Sequence, residues 1–149
     1  MTAPPLVGYR RVGAVAHIEL QRPDKLNALT DQMIRDLRAT LDQFDLDEAA
    51  SVAILSGRGR AFCAGADVKE RQLRPRDELE RLGGVESRDA RIGDVMLDSA
   101  RWKPVIAAVH GHVIGAGLRL ALHCELIVAD EATQFRLAEV ARGLDAGPA

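Results

Sequence analysis

The sequence has few cysteines, few aromatic residues and no excess of basic residues. Its two cysteines, Cys63 and Cys124, cannot form a disulfide scaffold, and neither lies in a C-x-x-C pair. We therefore expect a reduced, cytoplasmic protein. The 20 lysines and arginines are balanced by 22 acidic residues, which leaves a formal net charge of -2. This balance argues against a nucleic-acid partner and offers no polybasic anchor for a membrane surface.

Long hydrophobic runs are also absent. The longest stretch without a formal charge, Pro104–Leu118, contains two histidines and three glycines, and it is shorter than the roughly 20 apolar residues of a membrane-spanning helix. The first residues, MTAPPLVGYRR, lack the charged start and apolar centre of a signal peptide. Hydrophobic residues nevertheless make up 47% of the 149 residues, which predicts a packed core of one domain, or of a piece of a larger one.

Strand and helix patterns alternate along the chain. Apolar residues three and four apart predict a helix from about Thr30 to Asp45 and a second helix over 92–99. A charged insertion, 69–87, lies between them. The predicted strands are 6–11 and 14–20 on either side of Gly13, the apolar runs 51–55 and 105–109, and the shorter segments 125–129 and 134–137. Alternating strands and helices predict an α/β fold with buried, largely parallel strands.

Two turns of small residues each follow a predicted buried strand and precede a predicted helix. They are Ala64-Gly65-Ala66-Asp67 and Gly115-Ala116-Gly117. Small side chains let main-chain N–H groups approach a ligand, and the first N–H groups of a helix have no partner within it. Two such turns facing one point predict a site for a developing oxyanion. The alternative interpretation is that the small residues serve close packing alone.

Three segments together resemble the crotonase (enoyl-CoA hydratase/isomerase) superfamily: QRPDKLNAL (21–29), AFCAGADVKE (61–70) and AAVHGHVIGAG (107–117). The resemblance implies a spiral of strand–strand–helix units, and it covers the N-terminal part of that fold. We therefore expect 1–149 to be a crotonase-like acyl-CoA-binding core domain that is incomplete, or truncated, at its C-terminus. A remnant unable to fold alone is the weaker possibility. The family also implies a homo-oligomer, a trimer or hexamer, if the protein is full length.

The resemblance assigns roles residue by residue. The N–H groups of Ala66 and Ala116 are expected to polarise the thioester carbonyl of an acyl-CoA. The residues that the resemblance and its motifs place at the substrate are Lys25, Leu26, Ala64, Asp67, Val68, Lys69, Gly115, Gly117 and Arg119. Arg22, Arg58 and Arg60 are further candidates for the phosphates of coenzyme A, since guanidinium groups pair with phosphate oxygens. The alternative for the basic residues is an ordinary solvated surface.

The catalytic carboxylates depart from the family pattern. Hydratases of the family use two glutamates, and the first position is Arg119 here, whereas the second aligns with Glu139. An arginine cannot act as a base near neutral pH. Glu139 alone suffices to move a proton between carbons, as in enoyl-CoA isomerases. Alternatively, Glu139 is a surface carboxylate and the protein binds long-chain acyl-CoA without turnover, as the run GAGLRLALHCEL (115–126) suggests by its resemblance to an actinobacterial branch.

The expected function is thus enoyl-CoA hydration or isomerisation in fatty acid metabolism, or acyl-CoA binding alone. No cofactor is expected, because coenzyme A is part of the substrate. We also expect no metal site: His110 and His112 share a face, but no third ligand is evident. Cys63 lies beside the first turn without an activating base, so we expect it to pack as a small apolar residue.

Overall fold

The computed structural model describes residues 5–71, 76–81 and 102–138. The strands are β1 (Val7–Val12), β2 (Val15–Leu20), β3 (Val52–Gly57), β4 (Val105–Val109), β5 (His112–Ile114), β6 (Leu126–Ala129) and β7 (Gln134–Arg136). The helices are α1 (Asp31–Leu46), α2 (Val68–Arg71), α3 (Arg76–Arg81) and α4 (Ala116–Leu122), with a short 3₁₀ turn at Pro23–Lys25. The described part of the chain contains no helix with both the length and the hydropathy needed to cross a membrane.

Five strands form one sheet in the order β1-β2-β3-β4-β6. Strands β1 and β2 pair as an antiparallel hairpin, and every other neighbour in this sheet is parallel. Strands β5 and β7 form a separate two-stranded parallel sheet. The predicted α/β class with largely parallel strands is therefore confirmed. The spiral of repeated units and the assignment of 1–149 as one core domain stay predictions.

Helix α1 begins and ends where side chains satisfy its free main-chain groups. Thr30 precedes its first turn, and the Thr30 hydroxyl accepts a hydrogen bond from Met33 N at 3.1 Å. At the other end, Lys103 Nζ donates to the carbonyl oxygens of Phe44 and Asp47 at 3.0 and 2.7 Å. The same ammonium lies 5.3 Å from the centre of the Phe44 ring. Lys103 thereby ties the end of α1 to the start of β4.

The core lies between α1 and the middle of the five-stranded sheet. Strands β2, β3 and β4 alternate buried and partly buried residues, as expected for strands with one face against a core. The largest side chains there are completely shielded from water: Ile18, Leu20, Met33, Leu37, Leu41, Phe44, Leu55 and Phe62. The two small-residue turns follow β3 and β5, on the chain segments that leave this packed region.

The sequence prediction differs from the structure in three places. Strand β5 lies between the predicted strand 105–109 and the predicted turn 115–117, where no strand was predicted, and it forms by pairing with residues distant in sequence. Helix α3 lies inside the predicted charged insertion. Strand β6 was expected to be buried, but all four of its residues are exposed. The predicted helix over 92–99 lies outside the described residues.

Candidate functional site

The two small-residue turns lie side by side because the chain before each turn pairs with the other. Cys63 forms a parallel bridge with Val113. Cys63 N donates to His112 O at 3.1 Å, and Ile114 N donates to Cys63 O at 3.0 Å. Beyond this pairing the turns stay in contact: a methyl group added at Gly65 would lie 3.6 Å from Ala116 N. Two segments that are about 50 residues apart in sequence thus meet at one place.

Glycines allow this close approach. Gly65 has a φ of +95°, and a side chain there would lie 2.9 Å from Ile114 O. A side chain at Gly117 would collide with Cys63 O and would lie 2.8 Å from Cys63 Cβ. Any larger residue at either position would push the turns apart, since real Cβ contacts are not this short. The small residues therefore allow close packing, and the same packing brings two main-chain amides to one region.

The amides of Ala66 and Ala116 have no protein acceptor in the described part of the chain. Around the first, Leu29 N donates to Gly65 O at 2.8 Å and Asp67 N donates to Leu29 O at 2.9 Å, which leaves Ala66 N out of the ladder. Around the second, Gly115 N donates to Arg136 O at 2.9 Å, and Ala116 is the first residue of α4, where helical N–H groups have no partner. Each turn therefore presents one unused donor.

Residues 22–28 form a loop that closes over the first turn. Leu26 and Asn27 both have positive φ angles, 51° and 55°. Asn27 is completely buried; its side chain accepts from Arg22 N at 2.9 Å and donates to the carbonyl oxygens of Arg58 and Ala61 at 2.9 and 2.8 Å. All its side-chain hydrogen-bonding groups face main-chain partners from separate segments. Sequence reasoning missed Asn27, although an asparagine between apolar residues in a loop is a signal for a left-handed, side-chain-bonded turn.

The predicted substrate residues in this loop and in α2 differ in their exposure to solvent. Leu26 is partly buried, and its carbonyl accepts from Ala64 N at 3.0 Å, so it touches the first turn directly. Lys25 is exposed on the 3₁₀ turn, and Lys69 is exposed on α2 beside the partly buried Val68. Leu26 thus contacts the first turn, and Lys25 and Lys69 are exposed residues next to the loop and the turn in sequence.

Asp67 forms an ion pair with Arg22. Arg22 Nη1 lies 2.7 Å from Asp67 Oδ2 and also donates to Ala28 O at 3.0 Å. The other oxygen of Asp67 accepts from Glu70 N at 3.1 Å, which caps the first turn of α2. Burial alone would raise the pKa of Asp67, but the hydrogen bonds from Arg22 and from the helix amides outweigh it and lower the pKa below 3.8. Both side chains are therefore engaged within the protein.

Arg119 lies on α4 three residues after Ala116 and is partly buried. Its Nε atom is shielded from water and has no hydrogen-bond partner. Glu139, the carboxylate expected to move a proton, lies outside the described residues. The structure therefore places a cation beside the second turn, at the position where a glutamate was expected by resemblance.

A polar cleft of about 510 Å³ opens next to this region. It shares Arg22 with the loop described above, and Glu70 Oε1 accepts from Asp31 N at 3.2 Å at its wall. The lining residues are Leu6, Arg22, Thr30, Asp31, Gln32, Arg35 and Glu70. Two cations and two carboxylates face the same space, so the cleft has no net preference for an anion.

Comparison with known proteins identifies the group to which this arrangement belongs. The sequence model of the enoyl-CoA hydratase/isomerase family matches residues 10–148. The chain belongs to the enoyl-CoA hydratase/isomerase family. Mitochondrial enoyl-CoA hydratase of Pongo abelii is 39% identical over 129 residues, which cover 87% of this chain and 42% of that protein.

Solved structures of enoyl-CoA hydratases share the fold. One from Mycobacterium smegmatis has a TM-score of 0.83 at 35% identity and covers 97% of this chain and 55% of its own. Enoyl-CoA hydratase subunit I of Geobacillus kaustophilus HTA426 has a TM-score of 0.77 at 42% identity, over 95% of this chain and 52% of its own. The predicted resemblance to the crotonase fold is therefore confirmed. The chain spans about half the length of the relatives that it matches.

Nucleophilic chemistry by a cysteine is disfavoured beside the first turn. The Cys63 side chain is buried, donates to Asn27 O at 3.1 Å, and has its pKa raised by burial to about 12. A thiol with so high a pKa is not a nucleophile near neutral pH. Among residues 5–71, 76–81 and 102–138, no three histidine, cysteine or acidic side chains are grouped as metal ligands. His110 instead places Nε2 at 2.7 Å from Gly59 O.

Proposed function

We propose that this chain binds an acyl-CoA thioester and holds its carbonyl oxygen between the N–H groups of Ala66 and Ala116. One observation carries the proposal: the turns at Gly65 and Ala116 are in contact, and both amides lack a protein acceptor in the described residues. Membership of the enoyl-CoA hydratase/isomerase family supports a thioester as the ligand. The glycines at 65 and 117 serve this site by removing the side chains that would separate the turns.

Two such donors do more for a reacting thioester than for a resting one. Removing a proton next to the carbonyl, or adding water to the conjugated double bond, moves negative charge onto the carbonyl oxygen. N–H groups fixed before the reaction stabilise that charge without reorganising, and each one contributes about 2.7–4 kcal/mol to the transition state. The amides at 66 and 116 therefore supply the electrostatic part of the reaction.

The proton is moved by Glu139 in this proposal. One carboxylate suffices to take a proton from one carbon and return it to another, which is isomerisation of an enoyl-CoA. Hydration in the two-glutamate manner needs a second carboxylate, and Arg119 holds that position. The proposal therefore favours isomerisation over hydration.

The coenzyme A part is expected at the rim formed by Lys25, Leu26, Val68 and Lys69. Lys25 and Lys69 are exposed and so face solvent, where phosphate groups approach. Arg22 and Arg58 are less suited, because they already pair with Asp67 and Glu19 at 2.7 and 2.8 Å. No cofactor besides the substrate's own coenzyme A is proposed. A homo-oligomer and a cytoplasmic location stay predictions.

A second candidate function is acyl-CoA binding without turnover. The observation that favours it is Arg119, a cation where the hydratase mechanism needs a carboxylate. In this case the two amides still bind the thioester oxygen, but no proton is transferred.

The binding proposal is tested with a thioester and a thioether. We expect calorimetry to show that butyryl-CoA binds roughly tenfold more tightly than butyl-CoA, which lacks the carbonyl oxygen, because two N–H bonds are lost. Ala116→Pro removes one N–H at a first helical position that accepts proline, and should abolish most of this difference. Ala116→Ser keeps the N–H and should retain it. Equal affinities for both ligands in the unmodified chain would refute the proposed oxyanion site.

Turnover separates the two candidate functions. Crotonyl-CoA hydration and 3-enoyl-CoA isomerisation are assayed with the same chain and with Glu139→Gln. Isomerisation that Glu139→Gln abolishes supports the enzyme, whereas binding without either reaction supports the second candidate. Turnover that Glu139→Gln leaves unchanged would show that Glu139 has no part in it.

A further inference from the structure

Arg119 is an arginine with a buried N–H and no acceptor. Its Nε atom is shielded from water, and the described residues offer it neither a hydrogen bond nor an ion pair. Leaving a buried donor unpaired is costly, and more so when the group is charged. A folded protein tolerates that cost where a ligand supplies the missing acceptor.

Three other arginines of this chain, of which only Arg22 is partly buried, show which partner a guanidinium group finds here. Arg11, Arg22 and Arg58 lie 3.0, 2.7 and 2.8 Å from carboxylate oxygens of Asp47, Asp67 and Glu19, respectively. In each case the acceptor is a carboxylate, the partner whose planar shape fits a guanidinium group. Arg119 has no such partner among the described residues.

The position of Arg119 places it beside the proposed thioester site. It is the fourth residue of α4, and residues three apart on a helix are neighbours, with Cβ atoms about 5–6 Å apart. Helical side chains lean toward the N-terminus and cover the preceding turn. From this geometry we expect the side chain of Arg119 to lie over the turn that carries Ala116 N.

We propose that Arg119 binds a carboxylate on the acyl group of the substrate, so that the ligand is the coenzyme A thioester of a short dicarboxylic acid. This inference rests on the proposed function, because it takes the thioester oxygen to lie at Ala66 and Ala116. The amides of Ala66 and Ala116 then hold the thioester end of the acyl group, and Arg119 holds its carboxylate end. Ala116 N and the Arg119 side chain are close together on α4, so the acyl chain between the thioester and the carboxylate must be short. Because position 119 is a cation and not a glutamate, it favours a ligand that carries a carboxylate.

The test compares glutaryl-CoA with pentanoyl-CoA, which have the same number of acyl carbons and differ in a terminal carboxylate. Calorimetry with the unmodified chain should show that glutaryl-CoA binds roughly 10- to 100-fold more tightly, as expected for a hydrogen-bonded charge pair. Arg119→Gln should remove this preference, so that glutaryl-CoA and pentanoyl-CoA bind the variant with similar affinities. Arg119→Lys should retain part of it, because the charge remains but the planar fork is lost. Arg10→Gln, at an exposed position on β1, is the matched control and should change neither affinity.

The outcomes separate this inference from the function on which it rests. Binding of pentanoyl-CoA without any preference for glutaryl-CoA would overturn the inference and leave the thioester site intact. Equal weakening of both ligands by Arg119→Gln would show that Arg119 contacts the coenzyme A part, which also overturns it. Failure of both ligands to bind would overturn the thioester site and this inference together. The ligand preference of the unmodified chain decides the matter even if an Arg119 variant does not fold.

Discussion

Neighbouring strands β4 and β6 pair in one parallel sheet, yet their surroundings differ completely. In β4 the residues Val105 and Ala107 are fully shielded from water. In β6 the residues Leu126 and Val128 are 62% and 63% exposed, although their sequence is equally apolar. β4 leads toward the contact between the two turns. β6 lies beside β4, and no other described element covers it.

The difference shows that an apolar sequence does not by itself determine how much of a strand is buried. β4 lies between two other strands and leads toward the contact between the two turns, where main-chain segments pack so closely that only glycines fit. β6 pairs on one edge only within the described part of the chain. The site depends on the first region, so substitutions that disturb close packing should have the largest effects, and those in the second region the smallest.

The largest expected effect comes from Gly111→Ala. Gly111 has a φ of +59°, and a side chain there would collide with Arg60 O and lie 3.2 Å from Ala61 Cα. The collision is with main chain that cannot move without separating the turns, so we expect a loss of about 4 kcal/mol or more in the free energy of unfolding. Denaturant unfolding of the variant measures it.

Gly13→Ala is the matched control for this experiment. Gly13 has nearly the same φ, +58°, but nothing lies within 4 Å of an added side chain. The left-handed conformation alone should cost about 1–2 kcal/mol. Equal losses at Gly13 and Gly111 would mean that backbone conformation, and not the contact between turns, accounts for the effect.

A second large effect is expected from Asn27→Ala. The change removes three side-chain hydrogen bonds and leaves the carbonyl oxygens of Arg58 and Ala61, one in a partly buried bond and one in a buried bond, without this donor. Unpaired buried groups of this kind should lower the free energy of unfolding by about 3 kcal/mol. Gln43→Ala, on the exposed side of α1, should change it by less than about 0.5 kcal/mol. If both variants unfold at the same denaturant concentration, Asn27 does not hold the loop.

The same substitution, valine to alanine, tests the difference in burial between β4 and β6 through the free energy of unfolding. Val105→Ala in β4 removes buried methyl groups and should cost about 2 kcal/mol through lost burial and a residual cavity. Val128→Ala in β6 removes exposed ones and should cost less than about 0.5 kcal/mol. A comparable loss at Val128 would show that β6 is covered in solution.

Much of the fold was predictable because its signals are local. The β1–β2 hairpin, helix α1 and strand β4 follow from short-range patterns, and β4 was predicted with its observed bounds. Strand β5 was not predictable, because its three residues become a strand only by pairing with Cys63 and β7. The exposure of β6 depends equally on distant chain and has no local signal.

Some features of the candidate site could likewise be predicted from local sequence, whereas others depend on contacts between distant segments. The two small-residue turns were recognisable from composition, and the three motifs were enough to indicate the family. The contact between the turns depends on a bridge between segments about 50 residues apart, and the Arg22–Asp67 pair joins residues separated by 45. Sequence patterns report which residues are available for a site, whereas packing between distant segments determines which of them meet.

The smallest effect should come from the charges in the packed region. Arg22 and Asp67 are 20% and 14% exposed, and Asp67→Asn should lower the free energy of unfolding at pH 7 by about 1 kcal/mol. Because folding lowers the pKa of Asp67 below 3.8, this contribution is complete above that pH and is lost as the pH falls through the lowered value.

The measurement is the difference in unfolding free energy between the unmodified chain and Asp67→Asn as a function of pH. The difference should shrink on acidification below the ordinary aspartate range, whereas Asp24→Asn, at an exposed position on the 3₁₀ turn, should change the free energy of unfolding at pH 7 by less than about 0.5 kcal/mol. A loss for Asp67→Asn as large as that for Asn27→Ala would reverse the comparison. Charge, rather than close packing of main chains, would then hold the loop against the first turn, and the position of Ala66 N would depend on pH.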